Sequence, residues 1–259
     1  MKFSLAIVCC LLANWTSLVW LGHRFIASDS HCLVALFILA FFLYRQDWKN
    51  TRIDKQALIL SSGLSFLTLI GLFLNIPEIA LAFIFALNLN LLCSKAFERK
   101  WLWPSFALLL LSLPIISSIQ FFLGYPLRLF STQASAILLK IGGIHVQAHG
   151  TVLEWQGRQT IVDAPCSGIN MLWAGLLLIA IIAIHEKMKA KAFFKFFGLG
   201  FCLIIASNII RNTALFYLEN TPLELPEFSH SAVGLFIFTL YIFAILFIQK
   251  RSSHAKTLC

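Results

Sequence analysis

Three side chains with the chemistry of an acyl-transfer site occur in three separate segments of the chain. Cys166 lies in VDAPCSGIN (162–170), Arg211 in ASNIIRNTALFYLEN and His230 in EFSHSAVG. A cysteine nucleophile needs a base and an electropositive setting. His230 can take the thiol proton and later deliver it to a leaving amine, and Arg211 can hold a thiolate, an oxyanion or a substrate carboxylate. The three residue types together predict acyl transfer through a thioester.

The residues around Cys166 predict a reactive position. Pro165 is favoured in the first turn of a helix and Asp163 is a suitable cap before it. Cys166 is therefore expected in the first turn of an apolar helix, where unpaired N–H groups and the helix dipole favour a thiolate. Gly168 is expected to leave room for a substrate backbone, and Ser167 to support the site.

Each catalytic assignment has an alternative. Cys166 can be an inert structural residue, or it can form a disulfide with Cys32. Arg211 can extend to the lipid headgroups, whereas Asn208, three residues earlier on the same helical face, is expected to orient its guanidinium if it is catalytic. His230 can be an ordinary hydrated side chain at the membrane surface.

A metal site is a further alternative. His145 and His149 are four residues apart and, with His230 and Cys166, offer metal-ligand chemistry. The acidic residues that usually support such a site are not evident, so we expect no metal and no cofactor.

The composition indicates a membrane protein. The 259-residue chain is 59% hydrophobic and 12% charged, and a soluble domain carries about twice that charged fraction. Apolar runs long enough to cross the bilayer as helices recur along the chain. The sequence predicts an all-α multi-pass membrane protein of about eight spans, at 4–22, 31–44, 57–75, 77–93, 104–123, 167–184, 196–217 and 230–249. The net charge of +9 is interpreted as loop asymmetry, not as a nucleic-acid site.

The basic residues predict the orientation. Fifteen of the 20 Lys and Arg residues fall at the N-terminus, in the loops 45–56, 94–103 and 185–195, and in the C-terminal tail. Because cytoplasmic loops are enriched in basic residues, we expect both termini in the cytoplasm of a plasma (inner) membrane protein. The segment 124–166 and the loop 218–229 then lie outside, and Cys166, Arg211 and His230 converge at the outer face.

The outer segment contains the one stretch with β character. TVLEW and RQTIV flank Gln156–Gly157, which predicts a small β-hairpin before the sixth span. We expect a single membrane domain, 1–259, made of four N-terminal spans (1–103) and a catalytic core (104–250). The first span is expected to be retained rather than cleaved as a signal peptide.

These motifs resemble the exosortase/archaeosortase family of membrane cysteine transpeptidases. The resemblance rests on APCSG at 164–168, on Asn208 and Arg211 in N-x-x-R, on HSAVG at 230–234, on the preceding outer segment and on the eight-span layout. It implies that Cys166 is the nucleophile, Arg211 the transition-state or thiolate stabiliser and His230 the general base. It also implies secreted protein substrates that end in a short motif such as Pro-Glu-Pro, a span and a basic tail.

The same resemblance implies that the cleaved protein is passed to a surface acceptor, often linked to a lipid or polysaccharide. Two other function classes remain open on the residues alone. One is a non-enzymatic channel or assembly partner for polysaccharide export, and the other is a metal-dependent membrane hydrolase.

Overall fold

The chain is folded almost entirely into helices. The computed structural model describes residues 2–27, 29–45, 51–96, 102–220 and 228–257. The helices, in chain order, are α1 Phe3–Ala13, α2 Trp15–Ala27, α3 Cys32–Tyr44, α4 Lys55–Phe73, α5 Glu78–Ala96, α6 Leu102–Leu111, α7 Ile116–Ile141, α8 Ile169–His185, α9 Ala190–Glu219 and α10 Ser229–Thr257. A short 3₁₀ turn, Ala164–Ser167, precedes α8.

The helices make this an all-α multi-pass membrane protein. Within the described residues, five segments are long and apolar enough to cross a bilayer: Lys55–Phe73, Glu78–Lys95, Ala164–His185, Ala190–Glu219 and Ser229–Arg251. The number rises to seven if each of two bent helix pairs is one span. The predicted count of eight is not reached there, because α3 has only 13 residues.

The predicted first span, 4–22, is broken at Asn14. Helices α1 and α2 meet there at an angle of 76°. The Asn14 side chain is fully buried and donates hydrogen bonds from Nδ2 to the Cys10 carbonyl (2.8 Å) and to Ser65 Oγ (3.2 Å). An asparagine that hydrogen-bonds nearby backbone groups competes with regular helix, which explains a break that hydropathy does not detect.

The predicted fifth span, 104–123, is also wrong as one helix. Helix α6 ends at Leu111 and α7 begins at Ile116. Pro114 lacks an N–H and disfavours helical geometry in the residue before it, so the interruption follows from its position. Helix α7 then continues to Ile141, and residues 124–141 of the predicted outer segment are helical.

The chain forms two compact units. One comprises Met1–Ile115 and Ile179–Phe196, and the other comprises Ile116–Leu178 and Phe197–Cys259. All the predicted site residues belong to the second unit, which begins at Ile116. The prediction of a single domain over 1–259 stays a prediction.

A three-stranded antiparallel sheet precedes the 3₁₀ turn. Its strands are β1 Gln147–His149, β2 Val152–Trp155 and β3 Arg158–Ile161. Strands β2 and β3 form a hairpin through Gln156 and Gly157, whose φ angles of 52° and 77° suit the tight turn of a two-residue hairpin. Strand β1, which the sequence analysis did not predict, pairs with β2.

The sheet packs on the second unit through a small apolar cluster. Val146 and Leu153 are fully buried against Ala136 and Leu139 of α7 and Phe216 of α9. Burying such side chains stabilises the contact by about 1.5–3 kcal/mol for each large residue. The sheet is therefore held at the C-terminal ends of α7 and α9.

Candidate active site

Cys166 lies in the 3₁₀ turn and not in the first turn of α8. Asp163 caps this turn, because its Oδ1 accepts a hydrogen bond from the Cys166 N–H at 3.3 Å. The Asp163 carbonyl accepts from the same N–H at 3.1 Å. The predicted cap is thus present, and the Cys166 N–H is paired with Asp163 rather than left free.

Two asparagine side chains of α9 hold the Cys166 carbonyl. Asn208 Nδ2 donates to that oxygen at 3.3 Å and Asn212 Nδ2 at 3.1 Å. Asn208 Nδ2 also donates to Ser131 Oγ of α7 at 3.3 Å. Both asparagines are buried. Asn208 therefore contacts the backbone of Cys166, and neither of these two hydrogen bonds is the expected contact with the Arg211 guanidinium.

The Asn208 side chain lies so close to Gly168 that a larger residue would not fit there. The φ of Gly168 is +83°, and a Cβ placed there would lie 2.5 Å from Asn208 Cγ. Non-glycine residues rarely adopt that φ. Asn208 fills the space beside the Cβ position, and Gly168 also lines the cavity described below, so the expectation that it leaves room for a substrate backbone stays a prediction.

Ser167 is buried and ties the turn to α7. Its Oγ donates to Gln120 Oε1 at 3.2 Å and accepts from the Ile169 N–H at 3.5 Å. Gln120 and Asn212 were not identified from the sequence. Asn212 had a detectable signal, because it lies four residues after Asn208 on the same helical face.

Arg211 and His230 share one cavity of about 400 Å³. Pro165 and Gly168, which flank Cys166, also line it, and the rest of the lining comes from α8 and α10: Asn170, Met171, Ala174, Ser231, Gly234, Leu235 and Phe238. The Cys166 side chain is half-buried and is not part of this lining.

Gly234 accommodates the guanidinium of Arg211. A Cβ at residue 234 would lie 3.1 Å from Arg211 Nε, closer than an ordinary van der Waals contact. The glycine in HSAVG thus allows α10 to pass close to the Arg211 side chain.

Charges of both signs act at the Cys166 sulfur. Burial and the hydrogen bond with Asp163 disfavour a thiolate most, the carboxylates of Asp163 and Glu219 oppose it as well, and the Arg211 guanidinium favours it. The expected electropositive setting is therefore only partly present. Glu219, the last residue of α9, was not identified from the sequence.

Glu219 also contacts His230. Its Oε1 lies 3.4 Å from His230 Nε2, and about half of the His230 side chain is exposed. The histidine is therefore paired with a carboxylate and open to the cavity.

The family comparison matches nearly the whole chain. The model of the transmembrane exosortases matches residues 20–248, which include all three candidate catalytic residues. The chain belongs to the transmembrane exosortase family. No curated protein and no solved structure matches it. Membership of the exosortase family suggests a membrane transpeptidase.

The cysteines of the described residues form no disulfide. Among the residues that the structure covers, six cysteines are free: Cys9, Cys10, Cys32, Cys93, Cys166 and Cys202. The Cys32 thiol is fully buried and donates to the Leu113 carbonyl at 3.3 Å, so neither it nor Cys166 forms the disulfide considered above. Cys259 lies outside the described residues.

The histidines considered for a metal do not assemble with the site. His145 and His149 are exposed, and His149 Nε2 lies 3.2 Å from Gln147 Oε1. No three His, Cys, Asp or Glu side chains in the described ranges are arranged to hold a metal ion. The proposed four-residue metal site is therefore not formed by this part of the chain.

Proposed function

We propose that the protein is a membrane cysteine transpeptidase that cleaves a C-terminal sorting signal of secreted proteins through a thioester. Cys166 is the nucleophile, His230 the general base and Arg211 the stabiliser of the thiolate or the transition state. The signal has the form inferred from the family: a short motif, an apolar span and a basic tail. The cleaved protein is transferred to a surface acceptor linked to a lipid or polysaccharide.

The observation that carries this proposal is the shared cavity. Arg211 and His230 line it together with Pro165 and Gly168, which lie just before and just after the Cys166–Ser167 pair, and the positive charge of Arg211 favours a thiolate at the sulfur. A nucleophile, a base and a fixed positive charge are the groups that cysteine acyl transfer needs. Membership of the exosortase family supports the same activity.

The reaction follows from the roles of these groups. His230 accepts the proton of the Cys166 thiol, and the thiolate attacks the carbonyl carbon of the scissile peptide. Arg211 stabilises the oxyanion of the tetrahedral intermediate by charge-assisted hydrogen bonds. When the intermediate collapses, His230 returns the proton to the leaving amine and a thioester remains on Cys166. An acceptor nucleophile then attacks the thioester and releases the thiol.

The supporting residues fix the position of the nucleophile. Asn208 holds the Cys166 carbonyl, Ser167 anchors the turn to Gln120, and Gly168 admits Asn208 close to the backbone. A nucleophile held in this way loses less conformational freedom on reaching the transition state. The activation barrier is therefore lower.

The site is proposed to face the outside of the plasma (inner) membrane. The distribution of basic residues supports cytoplasmic termini, although Lys49, Arg99, Lys100 and part of the outer loop 218–229 lie outside the described residues. The sorting signal of a secreted substrate meets the catalytic residues on that outer face, at the level of the membrane lipids.

Co-expression with a substrate tests the function. A secreted protein that ends in a motif, a span and a basic tail is produced with the wild-type protein, with Cys166→Ala, and with two control variants, Cys93→Ala and Cys202→Ala. We expect processing by the wild type and by both controls and none by Cys166→Ala, as measured by the loss of the C-terminal tail on immunoblots.

The same experiment separates the alternatives. Full processing by Cys166→Ala contradicts the thioester mechanism. Loss of processing on addition of a chelator favours a metal-dependent hydrolase, and the His145→Ala and His149→Ala variants then identify its ligands. An unmodified substrate together with an unreactive Cys166 favours a channel or assembly partner.

A further inference from the structure

We infer that Glu219 is a positioning residue that orients and electrostatically supports His230, and that the β-sheet exists to fix the helix end that carries it. This inference rests on the proposed role of His230 as the base. It adds a fourth functional side chain, which no sequence motif indicated.

The contact itself joins the ends of two helices. Glu219 is the last residue of α9 and His230 is the second residue of α10. Their side chains meet at 3.4 Å, between Glu219 Oε1 and His230 Nε2. The connecting residues 221–227 lie outside the described part of the chain.

Both residues are placed against the preference of their helix. The C-terminal end of a helix favours cations and the N-terminal end favours anions, yet a glutamate ends α9 and a histidine begins α10. Local helix stability therefore does not explain either residue. Their mutual contact offsets both preferences, and such departures from local rules are typical of functional sites.

The sheet holds the end of α9 in place. Asn220, the residue after Glu219, donates from Nδ2 to Thr160 Oγ1 of β3 at 3.1 Å and to the Phe216 carbonyl at 2.9 Å. Arg158 Nη1 of β3 donates to the Asn220 carbonyl at 3.5 Å. The backbone beside Glu219 is thus clamped by the hairpin.

An aromatic contact reinforces this clamp. The rings of Trp155 in β2 and Phe216 in α9 meet edge to face, with centroids 6.3 Å apart. Phe216 is itself buried in the apolar cluster under the sheet. The sheet therefore fixes the last turn of α9 from two sides, which gives it a role in the site without any contact to the substrate.

The 3.4 Å contact between Nε2 and the Glu219 carboxylate suits a tautomer with the proton on Nε2. In the proposed mechanism Nδ1 is then unprotonated and takes the proton released by the Cys166 thiol. The proton moves from Sγ to Nδ1 and Glu219 does not take it. Its negative charge stabilises the imidazolium that forms, as the acidic member of a catalytic triad does.

The charge of Glu219 also opposes a thiolate on Cys166. This effect works against the support that Glu219 gives to the His230 imidazolium. Because Coulomb energy falls with distance, the proposal requires the 3.4 Å contact with His230 to outweigh it, so that Glu219 favours the thiolate–imidazolium pair.

The test is a double-mutant cycle read on Cys166 alone. Full-length protein in detergent micelles is treated with iodoacetamide, and alkylation of Cys166 is followed by mass spectrometry of its peptide. Glu219→Ala and His230→Ala are each expected to slow alkylation about tenfold or more, and the double variant is expected to be no slower than His230→Ala. Glu219→Gln should fall between Glu219→Ala and wild type, because its amide oxygen still accepts from Nε2–H.

A second His–Glu pair supplies the matched control. His185 Nδ1 lies 3.3 Å from Glu186 Oε1, so Glu186→Ala removes a similar contact in the other unit. This variant should alkylate Cys166 at the wild-type rate. Thermal melting of every variant checks that none has simply unfolded.

Each other outcome is decisive. Additive losses in the double variant, an unchanged rate in Glu219→Ala, or an equal loss in Glu186→Ala overturns the role of Glu219. An unchanged rate in His230→Ala removes the base assignment of the proposed function as well. Slowed alkylation without any cleavage of a co-expressed substrate leaves the Glu219–His230 coupling standing and rejects the proposed function.

Discussion

A single substitution distinguishes the two possible roles of Arg211, membrane anchor and oxyanion stabiliser. If Arg211 only extends to the headgroups, lysine replaces it well, since both carry a positive charge on a long apolar stem. If it holds an oxyanion, lysine loses the planar pair of donors. Removing one such donor costs about 100- to 1000-fold in rate. We expect Arg211→Lys to insert normally and to process substrate at least about tenfold more slowly than wild type.

The control for this substitution is Arg128→Lys. Arg128 also lies in a helix of the second unit, where its Nε donates to the Gly124 carbonyl at 3.4 Å and its guanidinium lies over the Tyr125 ring. It has no place in the proposed mechanism, so its lysine variant should process normally. Wild-type rates in both variants would return Arg211 to the role of a membrane anchor.

From the sequence, the motifs and the predicted orientation of the spans select Cys166, Arg211 and His230 as candidates, and their catalytic roles stay a prediction. The contacts that surround them were not predicted. Glu219 and Gln120 carry no comparable signal, because Glu219 contacts His230 of α10 and Gln120 contacts Ser167 of the 3₁₀ turn, each in a separate element of the fold. A contact between residues distant in sequence is set by tertiary packing, which a single sequence does not display.

The turn that carries Cys166 yields a prediction at the element scale. Gly168→Ala should place a Cβ against Asn208 Cγ and push the Asn208 side chain away from the Cys166 carbonyl. We expect a loss of stability of about 1–3 kcal/mol from this overpacking, beyond the strain of the backbone, and a large loss of processing. Thermal melting in detergent and the immunoblot assay measure the two effects.

Gly143→Ala isolates the backbone strain. Gly143 has a φ of +87°, close to the +83° of Gly168, but nothing lies within 4 Å of its Cβ position. The Gly143→Ala variant should lose about 1–2 kcal/mol of stability from the unfavourable φ and still process substrate normally. Equal defects in both variants would show that the contact with Asn208 contributes nothing.

The elements themselves divide into those that hydropathy predicts and those it does not. The predicted spans 57–75, 77–93, 196–217 and 230–249 overlap the helices Lys55–Phe73, Glu78–Ala96, Ala190–Glu219 and Ser229–Thr257. The breaks at Asn14 and around Pro114 were missed because the apolar runs continue through them. The turn at Gln156–Gly157 was recognisable because few sequences suit its two positive φ angles.

For the whole molecule, the orientation in the membrane is open to direct measurement. Membrane-impermeant thiol reagents added to intact spheroplasts should label Cys166, which is half-buried, but not Cys32, which is fully buried. Cys259, in the predicted cytoplasmic tail, should be labelled only after permeabilisation. Labelling of Cys259 in intact spheroplasts without labelling of Cys166 would invert the proposed topology and remove the site from the outer face.

The central claim is that Cys166 carries the substrate as a thioester, and trapping that intermediate tests it most directly. Purified protein is mixed with a substrate that bears the sorting signal, quenched in acid and analysed by mass spectrometry of the intact protein and of the Cys166 peptide. We expect an adduct on Cys166 with the mass of the substrate's N-terminal part, which hydroxylamine releases, and no adduct in Cys166→Ala. Cleavage by the wild type with Cys166 unmodified, or cleavage undiminished in Cys166→Ala, would contradict it.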